Sequence, residues 1–507
     1  MKHKSSNGII GKLLNSIEWF GNALPHPATL FAIFALSALV LSWIMHIFGV
    51  EAVNPATEEL VKPVNLLTVE GIRRILEEMV TNFTDFAPLG IVLVAMLGIG
   101  IAESSGLIGA LIRLLVLNAP GRILTFVVVF AGILSNFASD VGYVLLIPLA
   151  GVIFIAFNRH PLVGMAAAFA GVSGGFSANL ILGTIDPLLA GLSQEAARIV
   201  DPEYTVNPTA NYYFMVVSTF FIAFTGTWVT ERIVAPRFGE YHGPEAEEGV
   251  EKLSPLEKRG LMYSGLAVLF MILIILWGII PSSGFFRGPD GGILSSPLIE
   301  GVVAVLFLFA GTAGLVYGIV TRKYRSDADV MKGMSETLKS LTMYIVLVFF
   351  AAQFVAYFKW SNLGIIFAIL GADALAASGL GLIPLMILFI IFAASINMIM
   401  GSASAKWAIM APVFIPIFMF LGYSPELSQV VYRIGDSITN VISPMMSFYA
   451  LIIAFFQKYE KNSGIGTVIA TMLPYSVAFF IVWVLLLAGW VLLDLPLGPG
   501  VSLHYDF

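Results

Sequence analysis

The chain contains no cysteine, which excludes disulfide bonds, thiol catalysis and cysteine-ligated metal sites. Charged residues are also scarce, at 11% of the 507 residues, whereas soluble proteins carry about 25%. No long basic stretch indicates nucleic-acid binding. The sequence also lacks a glycine-rich phosphate-binding loop followed by Lys and Ser or Thr, so it gives no support to ATP-driven transport. The six histidines lie near segment ends, away from any catalytic constellation, so we predict that the chain is not an enzyme.

Apolar residues dominate the sequence. The mean hydropathy is +0.92, and uninterrupted apolar runs of about 20 residues, typical of membrane-spanning helices, recur along the chain. We therefore predict an all-α polytopic membrane protein with about nine transmembrane helices and two re-entrant hairpins.

The placement of Lys and Arg predicts the orientation of these helices, because basic loops stay in the cytoplasm. Basic residues cluster before the first apolar run and in residues 231–259 and 322–339, whereas residues 51–85 and 281–300 lack such an excess. We therefore predict five segments: a cytoplasmic N-terminal segment (1–27), a first transmembrane half with repeat 1 (28–230), a cytoplasmic linker (231–259), connecting helices (260–321) and a second transmembrane half with repeat 2 (322–507).

The two halves resemble each other at a fixed separation of 264 residues. This separation relates Pro148 to Pro412 and Pro161 to Pro425, and prolines determine where helices break. The first copy follows an outer segment and the second an inner one, which predicts an inverted-topology repeat with a substrate site near the bilayer midplane. The alternative is coincidence among small and apolar residues.

Arg433 and Asp436 are the most informative residues, because uncharged stretches at 374–405 and 437–456 flank them. An ionisable group at bilayer depth costs about 2.5–3.5 kcal/mol, and such groups usually face a watered cavity. Their spacing places both on one helix face, where they could pair with each other. Arg433 suits a substrate carboxylate, and Asp436 suits a proton or sodium. The alternative is a buried pair that only orients the helix.

Further candidates lie at predicted helix breaks. The stretch from Gly401 to Trp407 is small and hydroxylated, then basic at Lys406, then aromatic. Ser404 and the upstream Asn397 offer oxygen ligands to a hard cation such as sodium, and Trp407 could stack on an aromatic ring. The alternative is interface packing, which also uses small residues.

The first half offers a similar set of polar residues. Asn179 suits cation ligation, and Asp186, next to Pro187, suits either a cation ligand or a helix cap. Asp140, in the middle of the apolar stretch 123–157, is a weaker candidate for a functional carboxylate.

Several motifs resemble the AbgT family of p-aminobenzoyl-glutamate transporters along nearly the whole chain. They include Pro25-His26-Pro27, Phe176-Ser177-Ala178-Asn179-Leu180, Trp360-Ser361-Asn362 and the block from Gly401 through Pro444. The following residues match the family's functional positions: Asp186, Asn397, Ser404, Trp407, Pro425, Arg433, Asp436 and Pro444.

The resemblance implies a homodimer of nine-helix protomers with two re-entrant hairpins in the bacterial inner membrane. It implies an ion-coupled secondary transporter that moves p-aminobenzoyl-glutamate or related p-aminobenzoate compounds, which are small aromatic carboxylates, by alternating access. The expected cofactor set is empty apart from sodium or a proton as the coupling ion. The expected site residues are Trp407, Arg433, Ser404, Pro425 and Pro444 for substrate, and Asn397, Asp436, Asp186 and Asn179 for the ion.

Three alternatives remain open at this point. The chain could export sulfonamide antimetabolites by proton antiport, since sulfonamides share the aminophenyl ring of the expected substrate. It could instead be a sodium-coupled dicarboxylate symporter. The non-transport alternative is a membrane-embedded enzyme or scaffold.

Overall fold

The computed structural model of the protein describes residues 25–55, 57–137, 141–239, 241 and 252–506. Asp140 and most of the predicted N-terminal segment lie outside these residues. The described chain is mostly helical and has almost no strand, which confirms the predicted all-α class. Its one sheet is a hairpin of two short strands, β1 (Ala52–Val53) and β2 (Leu60–Val61).

The helices fall into a first half, a connecting part and a second half. In the first half they are α1 (Pro27–Ile47), α2 (Val69–Thr84), α3 (Ala87–Ser104), α4 (Leu107–Leu117), α5 (Leu124–Ser135), α6 (Ile147–Ala156), α7 (Pro161–Phe169), α8 (Ile185–Ala197), α9 (Tyr212–Val229) and α10 (Ala235–Phe238). The connecting helices are α11 (Pro255–Ile279), α12 (Pro297–Glu300) and α13 (Val302–Val320). In the second half they are α14 (Asp327–Ser340), α15 (Thr342–Trp360), α16 (Leu363–Ala377), α17 (Leu382–Asn397), α18 (Ala403–Phe420), α19 (Pro425–Asn440), α20 (Tyr449–Tyr459) and α21 (Ile465–Leu492).

The number of spans agrees with the sequence-based count. Among the described residues, eight helical stretches are long and apolar enough to cross a bilayer. A ninth is obtained if α4 and α5, between which the chain bends by 109°, form one broken span or re-entrant hairpin. Shorter apolar helices, such as α16 and α17, lie between the long ones.

The helix boundaries recur at the separation that relates the sequence repeats. α6 ends at Ala156 and α18 at Phe420, while α7 begins at Pro161 and α19 at Pro425. The first residues of α8 and α20 have the same separation. Each proline occupies the first turn of its helix, where its missing N–H removes no hydrogen bond. Shared helix breaks argue against coincidence between apolar segments, while opposite insertion of the two copies stays a prediction.

The predicted linker, residues 231–259, is helical at both ends. α9 continues through a π-helical turn (Thr230–Val234) into α10, and α11 begins within the linker at Pro255. Glu231 lies in this turn and accepts hydrogen bonds from Arg159, at 2.7 Å, and from Thr125. At least one of the charged residues that led us to predict a linker over 231–259 therefore connects neighbouring helices.

α19 is the central helix, and every residue from Pro425 to Asn440 is buried. It contacts α8, α17, α18, α21 and the π-helical turn that follows α7. Gly435 allows the close approach of α17, since a Cβ atom there would lie 2.6 Å from the carbonyl oxygen of Ile390. Gly171, its counterpart in the first copy, meets Val129 of α5 in the same way. Close helix contact at small residues is the usual form of packing within membranes.

Replacement of Gly435 by alanine should lower the melting temperature, Tm, because the added methyl group meets the backbone of α17. Overpacking of this kind costs about 1–3 kcal/mol. Gly265→Ala on α11 is the matched control, since a Cβ atom there meets nothing within 4 Å and helix propensity favours alanine. Thermal unfolding in detergent measures both variants. Equal Tm values for Gly435→Ala and wild type would contradict the close contact of α17 and α19.

Candidate functional site

Arg433 and Asp436 both lie on α19, but each pairs with a residue on another helix. Arg433 Nη1 donates to Asp186 Oδ1 on α8 at 2.7 Å. Lys406 Nζ on α18 pairs with Asp436 Oδ1. The expectation that Arg433 and Asp436 pair with each other is therefore wrong. Their spacing along one helix allowed that pair, but oppositely charged groups on two neighbouring helices are available instead.

All four charged side chains are buried, with 5% or less of each side chain exposed. A single charge in such surroundings carries a large desolvation penalty, which a paired and hydrogen-bonded opposite charge offsets. Each charge at this site therefore needs its partner, and α19 carries one member of each pair.

Asp186 uses its two carboxylate oxygens for different tasks. Oδ1 accepts from Arg433, and Oδ2 accepts from the backbone N–H of Gly183 at 2.6 Å. Asp186 lies in the first turn of α8, where a negative charge interacts favourably with the helix dipole. One oxygen of Asp186 therefore binds the chain that precedes α8, and the other binds a guanidinium. The N-cap position itself is held by Thr184, and cation ligation by Asp186 stays a prediction.

The loop that precedes α8 in the first copy is hydrogen-bonded to α19 of the second copy. Ser177 Oγ donates to the backbone carbonyl of Arg433 at 3.0 Å, and Ser177 N–H donates to Ser437 Oγ at 3.1 Å. Asn179 Oδ1 accepts from the N–H groups of Leu180 and Ile181 and so shapes this loop. Ion ligation by Asn179 stays a prediction.

The second ion pair lies in a cluster of amides and hydroxyls. Asn397 Nδ2 lies 2.8 Å from the carbonyl oxygen of Asp436, 2.9 Å from Thr439 Oγ1 and 2.8 Å from Asn440 Oδ1. Asn440 Nδ2 donates to Asp436 Oδ2 at 3.1 Å. Asn397 Oδ1 accepts from Lys406 Nζ, so oxygens from α17 and α19 converge on one ammonium group.

Lys406 lies outside the set of predicted site residues, although it is fully buried at the centre of this cluster. The signal that indicates Arg433 is present for Lys406 too, because apolar residues precede and follow the stretch from Gly401 to Trp407. The same argument about charge at bilayer depth applies to both residues.

Trp407 is buried and linked to both halves. Its ring stacks on Tyr432 of α19, with centroids 4.4 Å apart and planes at 24°. Its Nε1 donates to Ser193 Oγ of α8 at 2.9 Å. Ser193 in turn donates to Gln429 Oε1 at 2.6 Å. The Trp407 side chain is fully buried within the protein, and contact with substrate stays a prediction.

The remaining predicted substrate residues lie at helix ends. Ser404 is partly buried in the first turn of α18, close to Ser402 Oγ. Pro425 is buried at the start of α19, where Ser424 Oγ accepts from the N–H of Leu427. Pro444 is partly buried in the break between α19 and α20. These positions fit the prediction that the two prolines shape helix breaks.

A cavity of about 240 Å³ lies between residues of the two copies. Asn440 lines it and connects it to Asp436 through the hydrogen bond described above. Tyr143 and Phe448 also line it, stacked on each other with centroids 4.6 Å apart. The rest of the lining is mixed: Val92, Met96, Asn136, Phe176, Thr184, Ile185, Leu188, Leu341, Gly401, Ala403, Met446 and Ser447. A smaller void of about 10 Å³, roughly the size of one water, borders Arg433.

Asn136 is a cavity residue that the sequence prediction missed. It is buried just after the last residue of α5, and its Nδ2 donates to the carbonyl oxygen of Ile133 at 3.2 Å. Its Oδ1 has no hydrogen-bond partner among the described residues. Most buried polar atoms are satisfied, so an acceptor without a partner at a cavity is suited to an N–H group of a ligand. A lone asparagine at the end of a helix gives no sequence signal for this role.

The family model described as "AbgT putative transporter family" matches residues 12–505. The chain is 38% identical, over 492 residues, to the p-aminobenzoyl-glutamate transport protein of Escherichia coli K12, with 97% of each chain covered. It is also similar to two solved structures. The YdaH transporter of Alcanivorax borkumensis, described as having an unusual topology, has 45% identity and a TM-score of 0.90, with 94% of this chain and 100% of that chain covered. MtrF of Neisseria gonorrhoeae, described as illuminating a class of antimetabolite efflux pumps, has 48% identity and a TM-score of 0.91, with 97% and 100% covered.

Arg433→Met should lower the Tm strongly, because the Asp186 carboxylate then stays buried without its partner. Removal of one member of a buried pair costs about 3–5 kcal/mol. The double variant Arg433→Met/Asp186→Asn should recover much of the loss, since an amide at position 186 still accepts from Gly183 N–H. Lys332→Met, in an exposed pair with Glu336, is the control and should change little. Additive losses in the double variant would show that the two residues are not coupled.

Proposed function

Because the chain belongs to the AbgT putative transporter family, we propose that it is a secondary active transporter of p-aminobenzoyl-glutamate or related p-aminobenzoate compounds. The observation that carries the proposal is the 38% identity to the E. coli transport protein, which extends over 97% of both chains. We further propose that an ion gradient drives transport by alternating access, and that the transporter works as a homodimer in the bacterial inner membrane.

The chemistry of the cavity lined by Asn136 and Asn440 supports this substrate class. p-Aminobenzoyl-glutamate has an aromatic amide and a glutamate tail with two carboxylates. Tyr143, Phe176 and Phe448 give the cavity aromatic surface for a ring. Asn136 Oδ1 can accept a hydrogen bond from an amine or amide N–H of the ligand. Gly401 brings backbone close to the same space.

We propose that Arg433 binds a carboxylate of the substrate, because the planar guanidinium group can donate two parallel hydrogen bonds to a carboxylate. In this conformation Asp186 occupies Nη1 of Arg433, and a water-sized void borders Arg433. We therefore propose that a substrate carboxylate replaces Asp186 at Arg433 in a second conformation, with Ser404 and Trp407 close to the same path. A change between two conformations of this kind is what alternating access requires.

A second candidate is export of sulfonamide antimetabolites, favoured by the 48% identity to MtrF, which is described with antimetabolite efflux pumps. Sulfonamides share the aminophenyl ring of p-aminobenzoyl-glutamate, so the same aromatic surface suits both ligands. The two candidates differ in the direction of net movement and in whether a carboxylate partner is needed.

Flux in proteoliposomes tests both candidates. The full chain is reconstituted, proton and sodium gradients are imposed separately, and movement of labelled p-aminobenzoyl-glutamate and labelled sulfonamide is followed. Saturable p-aminobenzoyl-glutamate flux that depends on a gradient, and that unlabelled substrate inhibits, is the expected result. Gradient-driven movement of sulfonamide alone favours the second candidate. Absence of flux for both compounds under both gradients contradicts transport of this class.

Asn136→Ala should lower the initial rate of p-aminobenzoyl-glutamate flux about tenfold, because the ligand N–H loses its acceptor in the cavity. Asn118→Ala is the matched control, since the Asn118 side chain, just after α4, donates to the carbonyl oxygen of Leu114 in that helix and lies outside the cavity lining. Its rate should equal that of wild type. A wild-type rate for Asn136→Ala would remove Asn136 from the substrate site.

A further inference from the structure

Lys406 is the only lysine among the described residues whose side chain is buried in the protein interior. Its ammonium group contacts Asn397 Oδ1 at the end of α17 and Asp436 Oδ1 on α19. The lysine itself lies in the first turn of α18. Three helices of the second copy therefore meet at one positive charge.

The atoms around this ammonium are those that a hard monovalent cation takes. A carboxylate oxygen and an amide oxygen are typical ligands of such ions. Asn397 and Asp436 are also two of the four residues that the sequence predicts as ion ligands. In the structure both oxygens face the lysine ammonium, so the residues present do not fit an additional sodium ion at this position.

Charge balance leads to the same conclusion. The Lys406 ammonium neutralises the Asp436 carboxylate, and the second oxygen of Asp436 is held by Asn440. A sodium ion added to these oxygens would place two positive charges within a few ångströms of each other, and their repulsion is strong in a buried environment.

We propose that Lys406 is a tethered cation that takes the place of a bound sodium ion in the Asn397–Asp436 cluster. Transport by this chain is then independent of sodium. This last statement rests on the proposed function, whereas the occupancy of the cluster by Lys406 does not. The identity of the cation is thus fixed in the sequence instead of being taken from solution.

The test compares sodium binding by wild type and by variants of Lys406. Lys406→Ala removes the ammonium and its stem, which leaves space beside the oxygens of Asn397 and Asp436. Lys406→Met removes the charge but keeps most of the volume. The full chain in detergent is heated in sodium chloride and in choline chloride of equal concentration, and the Tm is measured in each.

Wild type is expected to show the same Tm in both salts. Lys406→Ala is expected to gain at least about 2 °C in sodium chloride, because a ligand that binds only the folded state stabilises it. Lys406→Met is expected to show no gain, since its side chain fills the space. Lys406→Ala/Asp436→Asn is expected to lose the gain. Lys332→Ala, on the exposed face of α14, is the control and should respond as wild type does.

A sodium-specific rise in the Tm of wild type as large as that of Lys406→Ala would overturn the proposal. So would a folded Lys406→Ala variant that does not respond to sodium. If Lys406→Ala does not fold, wild type and Lys406→Arg decide the question in proteoliposomes. Equal flux in sodium and choline supports the proposal, and flux that requires sodium overturns it. If no flux is found at all, the proposed function fails, while the thermal comparison of wild type in the two salts still tests Lys406.

Discussion

Charge buried among apolar helices must be neutralised within the protein, and this constraint organises the central part of the molecule. α19 contributes Arg433 to one ion pair and Asp436 to the other. Asp186 reaches it from the first copy of the repeat, and Lys406 from the second. A displacement of α19 would separate both pairs at once, so the positions of α8 and α18 are coupled through it.

Polar contacts between the two copies extend this coupling beyond the charges. Trp407 donates to Ser193, Ser193 to Gln429, and Gln429 Nε2 to Asn211 Oδ1 at 2.7 Å. The residues involved are buried, so the hydrogen bonds lack competition from water and are costly to leave unmade. The loop that carries Ser177 adds a connection to the backbone of α19. The candidate site is therefore shared by both copies.

Local sequence signals predict the helices and their breaks well, because their causes are local. Pro161 and Pro425 begin helices where the sequence repeat places them. Arg433 stands out because a charge within apolar sequence is rare. The partners of Arg433 and Asp436 could not be predicted in the same way, since they depend on how α8 and α18 pack against α19. Lys406 carried a usable signal, whereas Asn136 became informative only when its oxygen was found beside the cavity without a partner.

The pairing of Asp186 with Arg433 has an electrostatic consequence for the protein without bound substrate. With Asp186 at Arg433 and Lys406 at Asp436, the four charged side chains sum to zero. Movement of one elementary charge across a membrane changes the free energy by about 2.3 kcal/mol per 100 mV. A guanidinium that is neutralised by a carboxylate of the same protein avoids this dependence at these residues when no substrate is bound. In the proposed alternating-access cycle, the four side chains would therefore add little voltage dependence to the step that occurs without substrate.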